Sequence, residues 1–259
     1  MEHIQSERDG DLLILTMARG KANALNHVMV SELSNAVGEA ARDSSVRGLV
    51  LASNRPRFFS SGFDVREVFA YDREGMARFF GGFIDLYEGV YRCPKPVVAA
   101  LSGHAFAGGA ILASACDFRI MAEGDYGFAL NEINVGLALS GGMRRMVVHA
   151  AGLTGARELL LLGEPISPAR ALEIGLVKEL APAEEVRGRA ITLARFLAAK
   201  PAAAYHEMKR SLREFSGADE GPGDREMLLQ PFLDMWFSTE AREARTATIA
   251  RMQAAAGPV

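Results

Sequence analysis

PKPVVAALSGHAFAGGAILASACDFRIMA, residues 94–122, joins several unlike apolar patterns through glycines. PVVAALSG (96–103) is a short apolar run opened by proline, as a buried strand requires, and DFRIMA (117–122) is another. Between them AFAGGAILASA (105–115) reads as a small-residue helix. The turn GHAFAGGA (103–110) therefore links a strand to a helix. Its glycines permit close approach of other atoms, and N–H groups at a helix start can point unshielded at an anionic oxygen. The spacing is neither GxGxxG nor a P-loop, because no Lys-Ser/Thr follows the second glycine. Taken alone, the segment is a tight strand-to-helix turn.

Upstream, DLLILTMA (11–18) and RGLVLA (47–52) read as buried strands, with a helical apolar spacing in HVMVSELSNAVGEAARDS (27–44) between them. FFSSGFDVREV (58–68) offers a second glycine turn opening a short helix, with Asp64 available as an N-terminal charge and Arg66 two residues on. An amphipathic stretch runs from Met76 to Tyr91. Downstream, Glu132 in FALNEINVGL (128–137) sits in an apolar context where desolvation would raise its pKa towards that of a useful base. The plain alternative is a solvated loop glutamate. From about residue 140 onward the pattern is helical, interrupted by SGADEGPGDRE (216–226), whose composition suits a solvated linker. The chain reads as α/β followed by a helical region.

Composition narrows the function classes. With 259 residues, 49% apolar and 24% charged, a full core is expected. A net charge of −3 argues against nucleic acid as a partner. Cys93 and Cys116 show no CxxC or Cys/His spacing, so neither a disulfide framework nor a metal site is indicated. The polar start MEHIQSERDG has no basic, apolar leader, and no stretch approaches a membrane span, so a cytoplasmic protein without membrane contact is expected. The five histidines lie at no recognisable spacing from an acid or nucleophile. Lys209, Arg210 and Arg213 share a helical turn near Tyr205 and Met208, the pattern of a solvated face over an apolar underside.

Taken in order, KANALN (21–26), FFSSGFDVREV (58–68), the segment 94–122 and FALNEINVGL (128–137) resemble the crotonase superfamily of enoyl-CoA hydratases and isomerases. The resemblance implies a ββα spiral core, placed at residues 1–195, and a C-terminal helical trimerisation region, 196–259. It implies an acyl-CoA thioester substrate and assembly as a homotrimer or dimer of trimers. It also implies no resident cofactor, since coenzyme A is part of the substrate. By the same resemblance, backbone N–H groups of Phe63 and Gly108 form an oxyanion hole. Ala22, Ala24, Asp64, Val65 and Arg66 line the CoA groove, where Arg66 has a charge rationale.

Two preorganised donors stabilise the enolate formed when a proton leaves the carbon beside the thioester carbonyl. Hydratases of the family use two glutamates, one near the AGG helix and one at the position of Glu132; the first position here holds Ile111. One glutamate suffices to move a proton from C2 to C4 of a 3-enoyl-CoA. The LNE triplet (130–132) and the segment GLALSGGMRRM (136–146) also resemble the Δ3-Δ2-enoyl-CoA isomerase branch. Isomerase is therefore the expected activity. Hydration of 2-enoyl-CoA, or another crotonase reaction such as decarboxylation, is the alternative. Glu132 and the net charge count against a non-catalytic or RNA-binding paralogue.

Overall fold

In the computed structural model, which describes residues 1–215 and 225–256, the chain opens with a hairpin. β1 (Ile4–Asp9) and β2 (Leu12–Met17) pair antiparallel from Ile4↔Met17 to Asp9↔Leu12, turning at Gly10 with φ +62°. β1 has no apolar alternation, and its Gln5, Ser6, Glu7 and Arg8 are exposed. Backbone pairing to β2 defines it, and its polar residues suit an edge strand.

α1 (His27–Arg42) follows, its N-terminus capped by the Asn26 side chain accepting from Met29 N. A repeating scheme then takes over. β3 (Gly48–Ser53) and β4 (Phe58–Ser60) lead into α2 (Val65–Val68) and α3 (Arg73–Arg92). β5 (Val97–Leu101) and β6 (His104–Phe106) lead into α4 (Gly108–Ser114). β7 (Phe118–Ala122) and β8 (Phe128–Ala129) lead into a single 3-10 turn, Glu132–Val135. The remainder is α5 (Gly141–Leu162), broken at Gly152, then α6 (Pro168–Glu173), β9 (Glu179–Ala181), α7 (Val186–Ala198), α8 (Ala202–Phe215), α9 (Arg225–Trp236) and α10 (Thr239–Ala256).

The first strand of each repeat joins a sheet ordered β1-β2-β3-β5-β7-β9, parallel apart from the opening hairpin. The second strand of each joins a smaller parallel sheet ordered β4-β6-β8. Both faces of the inner part of the large sheet are covered, which is why β2, β3 and β5 read as apolar runs. Leu12, Ile14, Val50, Val98 and Ile120 pack in one core with Ala190 and Ala194 of α7. Leu13, Leu15, Leu49, Leu51 and Met121 belong to the other, with α1, α3 and α4.

Three sequence readings are corrected or bounded here. The region beyond residue 140 is not wholly helical, because β9 pairs with β7 through Ile120↔Glu179 to Ala122↔Ala181. The basic turn of α8 is inverted: Lys209 and Arg213 are buried, at 8% and 4% exposure, while Met208 and Leu212 face outward. The cause lies far off in sequence, where Asp117 takes Lys209 Nζ at 2.7 Å and the Tyr91 carbonyl accepts from Arg213 at 2.7 Å. Of the expected linker, residues 216–224 lie outside the described residues, and Arg225 and Glu226 begin α9.

Candidate active site

The small sheet assembles the site. Its three strands are parallel, so their C-terminal ends lie together, the edge of an open α/β sheet where ligands bind. β4 runs out into the turn at Phe63, β6 into Gly108 at the start of α4, and β8 through Leu130 and Asn131 into Glu132.

The first turn is held from behind by the KANALN segment. Leu25 N donates to Gly62 O at 2.7 Å, Asp64 N to Leu25 O at 2.9 Å, and Ser61 N to Ala22 O at 2.9 Å. The Phe63 N–H is left on the opposite side, without a partner among the described residues. Its ring is wedged edge-on between Phe79 and Phe83, with centroids 4.9 and 4.8 Å away, which fixes the backbone it hangs from. The Phe63 side chain is therefore an anchor for the turn.

Gly108 is the first residue of α4, ahead of any intrahelical acceptor, and its N–H is likewise without a partner among the described residues. The preceding Ala107 is held at φ +46°, an uncommon conformation for a residue with a Cβ. The two turns touch. A Cβ on Gly62, itself at φ +92°, would meet Ala107 Cβ at 2.9 Å and Gly108 N at 3.3 Å. A Cβ on Gly108 would meet the Phe63 ring at 2.8 Å, and one on Gly109 would meet Ser60 Cβ at 2.6 Å. Glycine is required here because the Phe63 and Gly108 turns approach each other closely.

Both residues line a cavity of about 200 Å³ whose walls also include Ile111, Asn131 and Glu132. Glu132 is its one carboxylate among the described residues. One carboxylate oxygen, Oε2, is shut from solvent and has no hydrogen-bond partner among the described residues. Desolvation among Ile111, Val135, Leu137, Leu139 and Met143 raises its pKa from 4.5 to about 7, against a small opposing hydrogen bond from its own backbone. It is a carboxylate in the environment of a base, not a solvated loop residue.

The other expected residues are spread more widely. Val65 lines the cavity and is exposed, whereas Ala22, Ala24, Asp64 and Arg66 lie beside the Phe63 turn without forming its walls. Asp64 caps α2 by accepting from Arg66 N and is paired with Arg19 at 2.6 Å. Arg19 also donates to Ala24 O at 2.8 Å, so it ties the KANALN segment to the turn. Arg66 is exposed. Of the α3 phenylalanines, Phe80 reaches the cavity, and Phe79 and Phe83 are core residues behind Phe63. Among the described residues no cluster of His, Cys, Asp or Glu is arranged to hold a metal ion, and no helix is long and apolar enough to cross a membrane.

Residues 7–253 match the family model described as enoyl-CoA hydratase/isomerase. The chain belongs to this family. Among relatives of the enoyl-CoA hydratase/isomerase family, the rat mitochondrial enoyl-CoA delta isomerase 1 is 29% identical over 72% of this chain. The match spans 65% of the rat protein's length, so just under two thirds of that relative is represented. A probable enoyl-CoA hydratase of Rhizobium meliloti is 32% identical over 98% of this chain and 97% of its own. The crystal structure of human mitochondrial delta3-delta2-enoyl-CoA isomerase superimposes with a TM-score of 0.91 at 25% identity, covering 98% of this chain and 100% of the other.

Sequence reasoning missed the wall supplied by the C-terminal helices. Phe232 and Trp236 of α9, and Arg245 and Thr248 of α10, close the cavity. α10 reaches it by packing on the loop after the 3-10 turn, so closely that a Cβ on Gly136 would lie 2.8 Å from Ala241 Cα. No local spacing in TEAREARTATIARM announces that contact.

Proposed function

We propose that this protein moves the double bond of a 3-enoyl-CoA to the 2-position. The observation that carries the reading is one carboxylate on the cavity wall among the described residues, Glu132, half-buried with Oε2 shut from solvent, beside an apolar Ile111 and beside Phe63 and Gly108, whose N–H groups have no partner among the described residues. The N–H groups of Phe63 and Gly108 receive the thioester oxygen, and Val65 and Arg66, with Ala22, Ala24 and Asp64 behind them, flank the CoA moiety. Glu132 removes a proton from C2; the C2–H pair becomes the new C2=C3 bond as the C3=C4 pair takes the proton back at C4. Negative charge rests on the thioester oxygen in between, where each donor contributes roughly 100- to 1000-fold in rate. The likeness to mitochondrial isomerases supports this reading.

A second reading, hydration of 2-enoyl-CoA, draws on relatives named as hydratases. Hydration calls on a second acid-base group to activate water, and the family position for it holds Ile111, whose side chain lines the cavity. Assaying pure protein with 3-enoyl-, 2-enoyl- and malonyl-type CoA esters in the presence of EDTA separates the readings. Isomerisation of the 3-enoyl ester is expected, with hydration of the 2-enoyl ester appearing or rising only in Ile111→Glu. Rapid hydration by the unaltered protein reverses the order of the two readings.

We also propose assembly as a homotrimer or dimer of trimers. Exposed Leu161 and Leu162 of α5, Leu172 of α6 and Met208, Leu212 and Phe215 of α8 support an apolar contact between copies.

A further inference from the structure

One wall of the cavity carries a positive charge that the double-bond shift does not use. Arg245 of α10 is 8% exposed, with its guanidinium 4.3 Å from the Trp236 ring centroid and 5.6 Å from that of Phe69. One nitrogen, Nη2, donates to the Trp236 carbonyl at 2.8 Å. The other, Nη1, is shut from solvent and has no hydrogen-bond partner among the described residues.

Among the described residues no carboxylate is paired with it. Glu132 is the one acidic side chain on the cavity wall among the described residues, and its raised pKa comes from desolvation with no contribution from Arg245. The neighbouring charge that acts on Arg245 is that of Arg242, also positive. A buried cation with an unused donor is costly to maintain unless an anion meets it.

The same cavity wall that holds Phe63, Gly108 and Arg245 includes the apolar Val135, Leu137, Leu139, Met143 and Phe232. A thioester held at Phe63 and Gly108, with CoA leaving along the exposed Val65 side, directs its acyl chain into that lining. We propose that Arg245 receives a carboxylate at the far end of the acyl chain, making the substrate class the CoA thioester of a short, dicarboxylic 3-enoic acid. This rests on the acyl-thioester reading given above. The cavity of about 200 Å³ is smaller than the roughly 300–1,000 Å³ of pockets that take drug-sized ligands, which favours a short chain. The carboxylate supplies both the missing acceptor and the missing charge.

Equilibrium binding of two unreactive probes, hexanedioyl-CoA and hexanoyl-CoA, with free CoA as a third, tests this by calorimetry. Because neither ester can isomerise, the result is independent of the reaction. The unaltered protein is expected to bind hexanedioyl-CoA roughly 10- to 100-fold more tightly than hexanoyl-CoA, the range of a charge-assisted hydrogen bond. In Arg245→Met that ratio is expected to fall to about one, with Arg245→Lys retaining part of it. Equal binding of both esters by the unaltered protein overturns the inference and leaves the isomerase reading standing, whether or not the variants fold. Failure of every CoA compound to bind overturns the acyl-CoA reading as well. If Arg245→Met loses free CoA and hexanedioyl-CoA to the same extent, the guanidinium reads CoA phosphates and the inference fails.

Discussion

At the scale of the residue, Glu132 links chemistry to stability. Folding raises its pKa from 4.5 to about 7, so between these values the native chain holds a proton that the unfolded chain has released. Stability therefore falls as pH rises through that window, by up to about 3 kcal/mol. Glu132→Gln removes the penalty. Thermal melts should show the variant more stable than the unaltered protein above pH 7 and equal to it near pH 4. In the proposed reaction the same ionisation supplies the base, so kcat/KM should rise with pH to a plateau above about 7. The variant should lose roughly 100- to 10,000-fold in rate while still binding CoA esters. A variant that keeps full activity removes Glu132 from the mechanism. The sequence indicated the apolar company of this residue, but its desolvation depends on Ile111, Leu139 and Met143 converging from other elements.

At the scale of the element, two turns make one site because β4 and β6 are parallel neighbours. The glycines of both turns were legible, being local signals. The strands that align them were not, since β6 and β4 have three residues and β8 has two, too few to show a period. Gly62→Ala tests the alignment. It places a Cβ 2.9 Å from that of Ala107 on a backbone at φ +92°, and the strain has to move one turn away from the other. A loss of about 100-fold in kcat is expected from a displacement near 1 Å. CoA-ester binding should weaken much less, because Val65 and Arg66, proposed above to flank CoA, lie beyond the clash. Unchanged kcat would show that the separation of the Phe63 and Gly108 N–H groups does not matter.

At the scale of the whole molecule, α8 connects the inverted basic turn to assembly. Lys209 and Arg213 point inward because Asp117 and the Tyr91 carbonyl wait there, and helical geometry then turns Met208, Leu212 and Phe215 outward. Phe215 is 93% exposed, and Leu172, Met208 and Leu212 border one shared depression of about 560 Å³. The sequence pattern ran the other way, since hydropathy alone places lysine and arginine outside, and the deciding carboxylate is far away in the chain. Apolar side chains turned outward by the buried Lys209–Asp117 pair and the Arg213–carbonyl hydrogen bond form the surface that the proposed assembly would cover. Light scattering should give a mass three or six times the 27.9 kDa of the chain. Leu212→Asp places a charge on that surface without touching the buried pair, so it should lower the mass towards that of one chain and make the melting temperature independent of concentration. A wild-type mass of one chain would mean that the outward leucines serve no contact between copies and that the homotrimer proposal fails.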